Sequence, residues 1–309
     1  MKKVSIILPC YNEEDNIPLL YEKLNEAIAN LTQYQFDYIF IDNASQDQTV
    51  PLLKELAARD PRVKIIVNAR NFGQVRSPYY GITQADGDAV ILMASDLQDP
   101  PSLIPEFIKK WEEGYKVVAG TKPASQESKL MFLIRRTYYK MIARFAEVNL
   151  IQNFTGFGLY DRKVVEILRT IEDPNPYLRG LISEIGFKVA EVPFNQPRRM
   201  RGITKNNFYS LYDIAMLGIT SHSKVPIRIA TISGFILSGI SMLIAVIYLT
   251  LKIIFWNQFS LGMAPVLIGL FFFSSVQLFF IGLLGEYLTS VHTHVMKRPR
   301  VIEEERINF

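Results

Sequence analysis

The chain has 309 residues, 49% of them hydrophobic, with 34 Lys and Arg against 30 Asp and Glu. That length suits two domains, or one domain with an appendage, and the hydrophobic share excludes a disordered chain. A net charge of +4 is too mild for a nucleic-acid partner and suits a neighbour of anionic lipid or phosphorylated substrate; the single cysteine, Cys10, excludes a disulfide framework and a cysteine-based zinc site.

The N-terminal part alternates short β-rich runs with longer amphipathic stretches. Val4–Leu8 precedes the helical pattern of Asn16–Leu31, Tyr38–Asp42 that of Gln46–Ala58, and Val63–Val67 that of Gln74–Gln84. Ala89–Met93 predicts a fourth strand, Pro100-Pro101 opens a helix through Lys110, and Val117–Gly120 predicts a fifth strand. The alternation predicts an α/β fold, a mostly parallel sheet with helices on both faces. Ligands of such sheets sit at the carboxyl ends of strands. Chemistry is therefore expected in the loops after Leu8, Ile41, Val67 and Met93.

The first loop, Pro9-Cys10-Tyr11-Asn12-Glu13-Glu14, has no glycine and is neither a dinucleotide fingerprint nor a P-loop. Tyr11 offers a ring to a base, and Asn12 and Glu13 offer partners to hydroxyls. The plainer alternative is a helix start capped by Asn12. In the second loop, Asp42-Asn43-Ala44-Ser45, a carboxylate at a strand end can accept from a nucleoside, or Ser45 can cap a helix. In the loop after the fourth strand, Asp96 and Gln98 point the same way if the segment is extended. Two oxygen donors at that spacing suit Mg²⁺ or Mn²⁺ sharing a diphosphate; a polar turn before a helix is the alternative.

Farther on, Lys129–Arg144 carries Lys129, Arg135, Arg136, Lys140 and Arg144 among apolar residues. This is a basic helix, either at a membrane surface or packed on the sheet. Asn207–Gly218 has helical apolar spacing and reads as a juxtamembrane helix. Ile229–Leu251 and Leu261–Leu284 are uncharged runs of 23 and 24 residues, each long enough to cross a bilayer. Lys224 and Arg228 precede the first run, and Lys297, Arg298 and Arg300 follow the second, with only Lys252 between. The positive-inside rule puts both flanks, and hence residues 1 to about 225, in the cytoplasm. The short apolar start after Lys2-Lys3 does not read as a signal peptide. Small residues in the runs permit packing between protomers. His222, His292 and His294 show no metal spacing, and Glu286 reads as solvated at the interface.

The loops together resemble the family-two inverting glycosyltransferases of the GT-A fold, in their membrane-anchored, polyprenyl-phosphate branch. The matching segments are ILPCYNEEDNI (7–17), FIDNASQDQT (40–49), NARNFGQ (68–74), SDLQDPPSLIPEFIKKWEEGYKVVAGTK (95–122), TGFGLYDRKV (155–164), YLRGL (177–181) and RRMRGITK (198–205). The two-run tail matches the bactoprenol-type branch. The resemblance divides the chain into a GT-A domain (1–205), a juxtamembrane helix (206–227), two transmembrane helices (228–290) and a cytoplasmic tail (291–309). It implies that Pro9, Tyr11, Glu13 and Asp42 hold the nucleoside of a nucleotide-sugar donor, UDP-glucose first and GDP-mannose as the alternative. It implies that Asp96 and Gln98 hold Mg²⁺ or Mn²⁺. Arg199, Gly202, Thr204 and Lys205 would meet phosphates near the membrane, Lys122 would open an acceptor loop, and Arg135 and Arg136 would meet the lipid phosphate.

Three departures bear on catalysis. The first acid of the family's DxD is Ala94, a frequently catalytic Asp is Gly156, and a nearby Arg is Gly158. A phosphate monoester has its second pKa near ~6, so as acceptor it needs positioning rather than deprotonation. If a carboxylate is used beside Asp96, Asp161 and Glu184 remain; the alternatives are a helix start for Asp161 and a solvated turn for Glu184. A polysaccharide synthase is the competing enzyme reading, but Gln196-Pro197-Arg198-Arg199-Met200 lacks the Trp of its QxxRW motif. A silent nucleotide-sugar-binding subunit is the non-enzymatic one.

Overall fold

The computed structural model describes residues 1–122, 151, 153–197, 216, 225–255 and 263–309. Strands β1 (Lys2–Cys10), β2 (Tyr34–Asp42), β3 (Val63–Asn68) and β4 (Ala89–Leu92) form where the sequence predicts them. They pair in parallel in the order β4-β1-β2-β3, so their carboxyl ends share one edge. Strand β5 (Val117–Thr121) points the same way, separated from β4 by β6 (Phe154–Asp161), which is antiparallel to both. On the outer sides, β7 (Val189–Pro193) pairs parallel with β5, and β8 (Glu303–Ile307) pairs antiparallel with β3. The full order is β7-β5-β6-β4-β1-β2-β3-β8.

Both faces of the sheet are covered, which is why β1 and β2 read as nearly continuous apolar runs. Val4, Ile6 and Leu8 of β1 pack with Ile17, Leu20 and Leu24 of α1 (Ile17–Ile28), Leu53 of α2 (Thr49–Arg59) and Phe107 of α4 (Ile104–Glu112). The opposite face sets Ile7, Ile39 and Ile41 against Tyr79 and Ile82 of α3 (Gly73–Gln84). Val164 and Leu168 of α5 (Arg162–Thr170) and Leu181 of α6 (Leu178–Ile185) complete that layer.

Strands β6, β7 and β8 go beyond the five read from the sequence. Two glycines interrupt the apolar pattern of β6, and β8 is Glu-Glu-Glu-Arg-Ile, a composition depleted in strands. Pairing with β3 makes β8 a strand, so residues 303–307 are part of the sheet rather than of a free tail.

Helices α7 (Val225–Ile254) and α8 (Met263–Val295) turn large apolar side chains outward; Phe235 is 76% and Phe271 68% exposed. Among the described residues they are the two helices long and apolar enough to cross a membrane, judged by length and composition. The α8 helix runs past Glu286 and takes in His292 and His294. The chain then returns to the sheet at the carboxyl edge, where Ala69 N, just past β3, donates to Ile302 O at 2.9 Å.

Candidate active site

The carboxyl edge is built by three loops tied to one another. Asn12 N donates to Ser45 Oγ at 2.8 Å, Gln46 N to Asn12 Oδ1 at 2.8 Å, and Glu13 N to Thr49 Oγ1 at 2.8 Å. Asn12 and Ser45 therefore do not cap helices; they stitch the first loop to the second. Each of three loops also holds a non-glycine residue in the left-handed region: Asn12 (φ 54°), Ala44 (φ 61°) and Leu97 (φ 60°). For Ala and Leu this costs about 1–2 kcal/mol. Such strain persists only where surroundings enforce it, and it clusters at functional sites.

Asp42, at the end of β2, is fully buried. Its Oδ2 accepts from Ser45 N at 2.8 Å, its Oδ1 accepts from Ser45 Oγ, and the Cys10 thiol lies 3.8 Å from Oδ1. Burial raises the Asp42 carboxyl above its ordinary range, against the Ser45 hydrogen bonds that lower it. Burial, with Asp42 adding to it, pushes the Cys10 thiol well up, so Cys10 is an inert buried thiol. Next to Asp42, Asn43 Oδ1 accepts from Asn68 Nδ2 at 2.9 Å and from Phe72 N at 3.2 Å. The Asn68 bond joins the end of β3 to the loop after β2. Sequence reasoning assigned no role to Asn68; its sign was a polar residue closing an apolar strand.

The loop after β4 is bent rather than extended, because Leu97 lies at φ 60°. Asp96 and Gln98 therefore do not share a face of an extended segment; they lie in a turn in which the backbone N of Gln98 donates to Asp96 Oδ1 at 3.1 Å. Ser95 Oγ donates to Pro9 O at 2.9 Å, holding this loop against the first. Asp99, not singled out from the sequence, is buried, with Oδ2 accepting from Ala94 N at 3.0 Å. Burial pushes its carboxyl up to about 6, opposed by the Ala94 hydrogen bond and by Lys122 and aided by Asp96. The signal available in sequence was the acid immediately before Pro100-Pro101.

Lys122 follows β5 at the same edge. Its Nζ lies 5.9 Å from the Phe194 ring centroid, and its backbone N donates to Asn153 O at 3.2 Å. The chain thus leaves and re-enters the described fold at this edge. Arg135, Arg136, Arg199 and Lys205 lie outside the described residues, as do Lys129–Arg144, His222 and the segment Asn207–Gly218 apart from Met216.

Two of the candidate carboxylates are not part of this gathering. β6 runs antiparallel to β4, so Asp161 at its end stands beside Ala89, at the opposite edge. There it caps α5 by accepting from Lys163 N at 3.1 Å. Its Oδ2 accepts from Trp111 Nε1 at 2.7 Å and lies 3.0 Å from Lys116 Nζ. Burial raises its pKa, but these hydrogen bonds outweigh it and hold the carboxyl below its ordinary range. Glu184 is exposed in the last turn of α6, which runs away from the carboxyl edge, so it lies in a helix and not in a turn. Gly156 has φ 103°, and a Cβ on Gly158 would lie 2.3 Å from Val118 O.

Among the described residues, no three His, Cys, Asp or Glu side chains form a metal cage. Asp96 and Gln98 are hard oxygen donors at the mouth of the edge. One carboxylate and one amide fit a divalent cation that draws its other ligands from water and a diphosphate. A groove of about 570 Å³ lies at the opposite edge, lined by Lys3, Asp37, Arg62 and Lys64. There Lys3 and Lys64 pair with Asp37, each at 3.0 Å.

Residues 5–168 match the family model for Glycosyl transferase family 2. Over 298 residues the chain is 35% identical to an uncharacterized glycosyltransferase of Synechocystis, covering 96% of this chain and 93% of that one. Over 301 residues it is 33% identical to the bactoprenol glucosyl transferase of Shigella phage SfII, covering 97% of each. A solved structure of glucosyl-3-phosphoglycerate synthase from Mycobacterium tuberculosis, with Mn²⁺, UDP and phosphoglyceric acid, aligns at 16% identity with a TM-score of 0.47. That alignment covers 71% of this chain and 76% of that one. The mostly parallel sheet, its loop-built carboxyl edge and the family match define a glycosyltransferase of the GT-A class. The chain belongs to glycosyl transferase family 2.

Proposed function

We propose that the enzyme transfers one sugar from a nucleotide sugar, UDP-glucose first, to a polyprenyl phosphate at the cytoplasmic face of a bacterial inner membrane, with inversion at the anomeric carbon. One observation carries this reading. The chain leaving α8 rejoins the sheet at the edge that gathers Pro9, Tyr11, Glu13, Asp96 and Gln98, so the second apolar helix ends where the candidate site opens. The phage relative's name, bactoprenol glucosyl transferase, over 97% of both chains, supports a lipid acceptor. Pairing of β8 with β3 sets the residues after α8 on the same side as the catalytic domain. With two spans between them, that supports a hairpin and agrees with the positive-inside expectation.

In this reading Pro9, Tyr11 and Glu13 hold the nucleoside; Asp42, expected from the sequence to hold it with them, is fully buried with both oxygens on Ser45 and acts instead through the loop it braces. Asp96 and Gln98 hold Mg²⁺ or Mn²⁺, which when bound supplies positive charge to the leaving diphosphate. Lys122 screens charge at the mouth, and Arg135, Arg136, Arg199 and Lys205 meet the acceptor phosphate. A phosphate that is largely dianionic near neutral pH attacks without a general base, which agrees with the remoteness of Asp161 and Glu184.

The test is transfer of radiolabelled glucose from UDP-glucose to undecaprenyl phosphate in detergent, with Mn²⁺ or Mg²⁺ and with EDTA. Metal-dependent lipid product is expected, with kcat lowered about 10²–10³-fold in Asp96→Ala, the scale of losing one key electrostatic contact. Nucleotide binding without product from UDP-glucose, GDP-mannose or any other donor would overturn the reading in favour of a silent binding subunit, for which Ala94 would be the reason.

A further inference from the structure

The residues after α8 do more than rejoin the sheet. The chain turns at Lys297 (φ 45°), and Arg300 Nε donates to Asp173 O at 2.8 Å while its guanidinium lies 5.1 Å from the Tyr79 ring centroid. On α8 itself, His294 Nε2 lies 3.2 Å from Asp173 Oδ1. Val301 is buried, Tyr80 Oη donates to Glu303 at 2.9 Å, and Arg306 donates to Gln84 Oε1 at 2.8 Å. At the far end Asn308 Nδ2 donates to Ala57 O and Val63 O, both at 2.9 Å. One short segment is thus fastened to α2, α3, β3 and the loop between α5 and α6. Asn68 pairs with Glu303 and also bonds Asn43, so two links join this segment to the loop beside Asp42.

A helix that crosses a bilayer has its height set by its apolar length and by cationic anchors such as Lys297 and Arg298. A rigid connection from its end to the sheet passes that height on to the catalytic edge. The donor arrives from water and is indifferent to this height. An acceptor whose phosphate is fixed at the lipid surface is not, and small misplacements of reacting groups cost rate steeply. We propose that residues 296–309 are a strap that sets the height of the catalytic edge above the bilayer. Arg300 and Asp173 are its positioning pair, and the strap governs use of a membrane-embedded acceptor but not donor binding. The consequence for transfer rests on the polyprenyl-phosphate reading above.

The test uses the full chain in nanodiscs, comparing the parent with Arg300→Ala and with Arg300→Ala/Asn308→Ala. Cys10 is buried, so a fluorophore on Gln74→Cys, exposed in the first turn of α3, reports distance to the membrane through quenching by headgroup-labelled nitroxide lipid. At least a twofold change in quenching is expected in the double variant, and unchanged quenching overturns the strap. For transfer, KM for a long-chain polyprenyl phosphate in the bilayer should rise about tenfold. KM for a water-soluble short-chain prenyl phosphate, and the Kd for UDP, should stay within twofold. Equal effects on both acceptors, or a parallel loss of UDP binding, overturn the positioning role. If the parent transfers to neither acceptor, the functional reading fails, while the quenching arm still decides whether the strap exists.

Discussion

Asp161 and Asp99 are both buried carboxylates, yet their surroundings shift them in opposite directions, and each shift has a measurable sign. Asp161 is held below its ordinary range by Trp111 and Lys116 against the pull of burial. Its contribution to stability is present above the unfolded carboxylate pKa of about 4 and is lost as pH falls through the depressed folded value. Asp161→Asn should therefore destabilise the protein by about 1–3 kcal/mol at pH 7, with the difference shrinking toward pH 3 in thermal melts. Asp99, raised to about 6 by burial, behaves in the reverse way. The folded state binds more protons than the unfolded one between about pH 4 and 6, so stability falls as pH rises through that window. In metal-free protein Asp99→Asn should flatten that fall, by a difference on the order of 3 kcal/mol between pH 4 and pH 7. A parallel pH dependence in variant and parent would count against the buried charge. The sequence pointed to Asp161 through its neighbours in a motif, but a motif does not say which end of a strand faces the site.

At the scale of elements, the backbone of β6 favours glycine at two positions, 156 and 158. Gly156 takes a φ of 103°, which an L side chain rarely adopts, and a Cβ at Gly158 would strike the carbonyl of Val118 across the β5–β6 pair. Gly158→Ala should cost about 1–3 kcal/mol through overpacking, and Gly156→Ala about 1–2 kcal/mol through backbone strain. Denaturant midpoints of the detergent-solubilised protein read both. An unchanged midpoint for Gly158→Ala would show that β5 and β6 stand farther apart. The first four strands were legible because parallel strands covered on both faces are simple apolar runs. β8 was not, since Glu303, Glu304 and Glu305 carry no strand signal, and it forms only because β3 offers an open edge.

For the whole molecule, the sheet and the apolar helices make one geometric statement: the carboxyl edge and the exit of α8 lie together. Cysteines placed at exposed positions Gln46 and Glu304 should be labelled by an impermeant maleimide from the same face of oriented vesicles. Labelling from opposite faces would exclude a hairpin between them. Local pattern alone determined the alternation of strand and helix, the two long uncharged runs, and the loops that would carry chemistry. Each is a property of neighbouring residues: periodicity, length and charge. Tertiary structure alone decided that Asp161 faces away, because strand direction depends on the partner strand. It decided that Asp99 is buried and bound to Ala94 N, because burial depends on what packs around a residue from elsewhere in the chain. It also decided that the residues after α8 belong to the sheet, because an edge strand is held by hydrogen bonds to a partner some two hundred and forty residues earlier in the chain, and no local pattern records that partner.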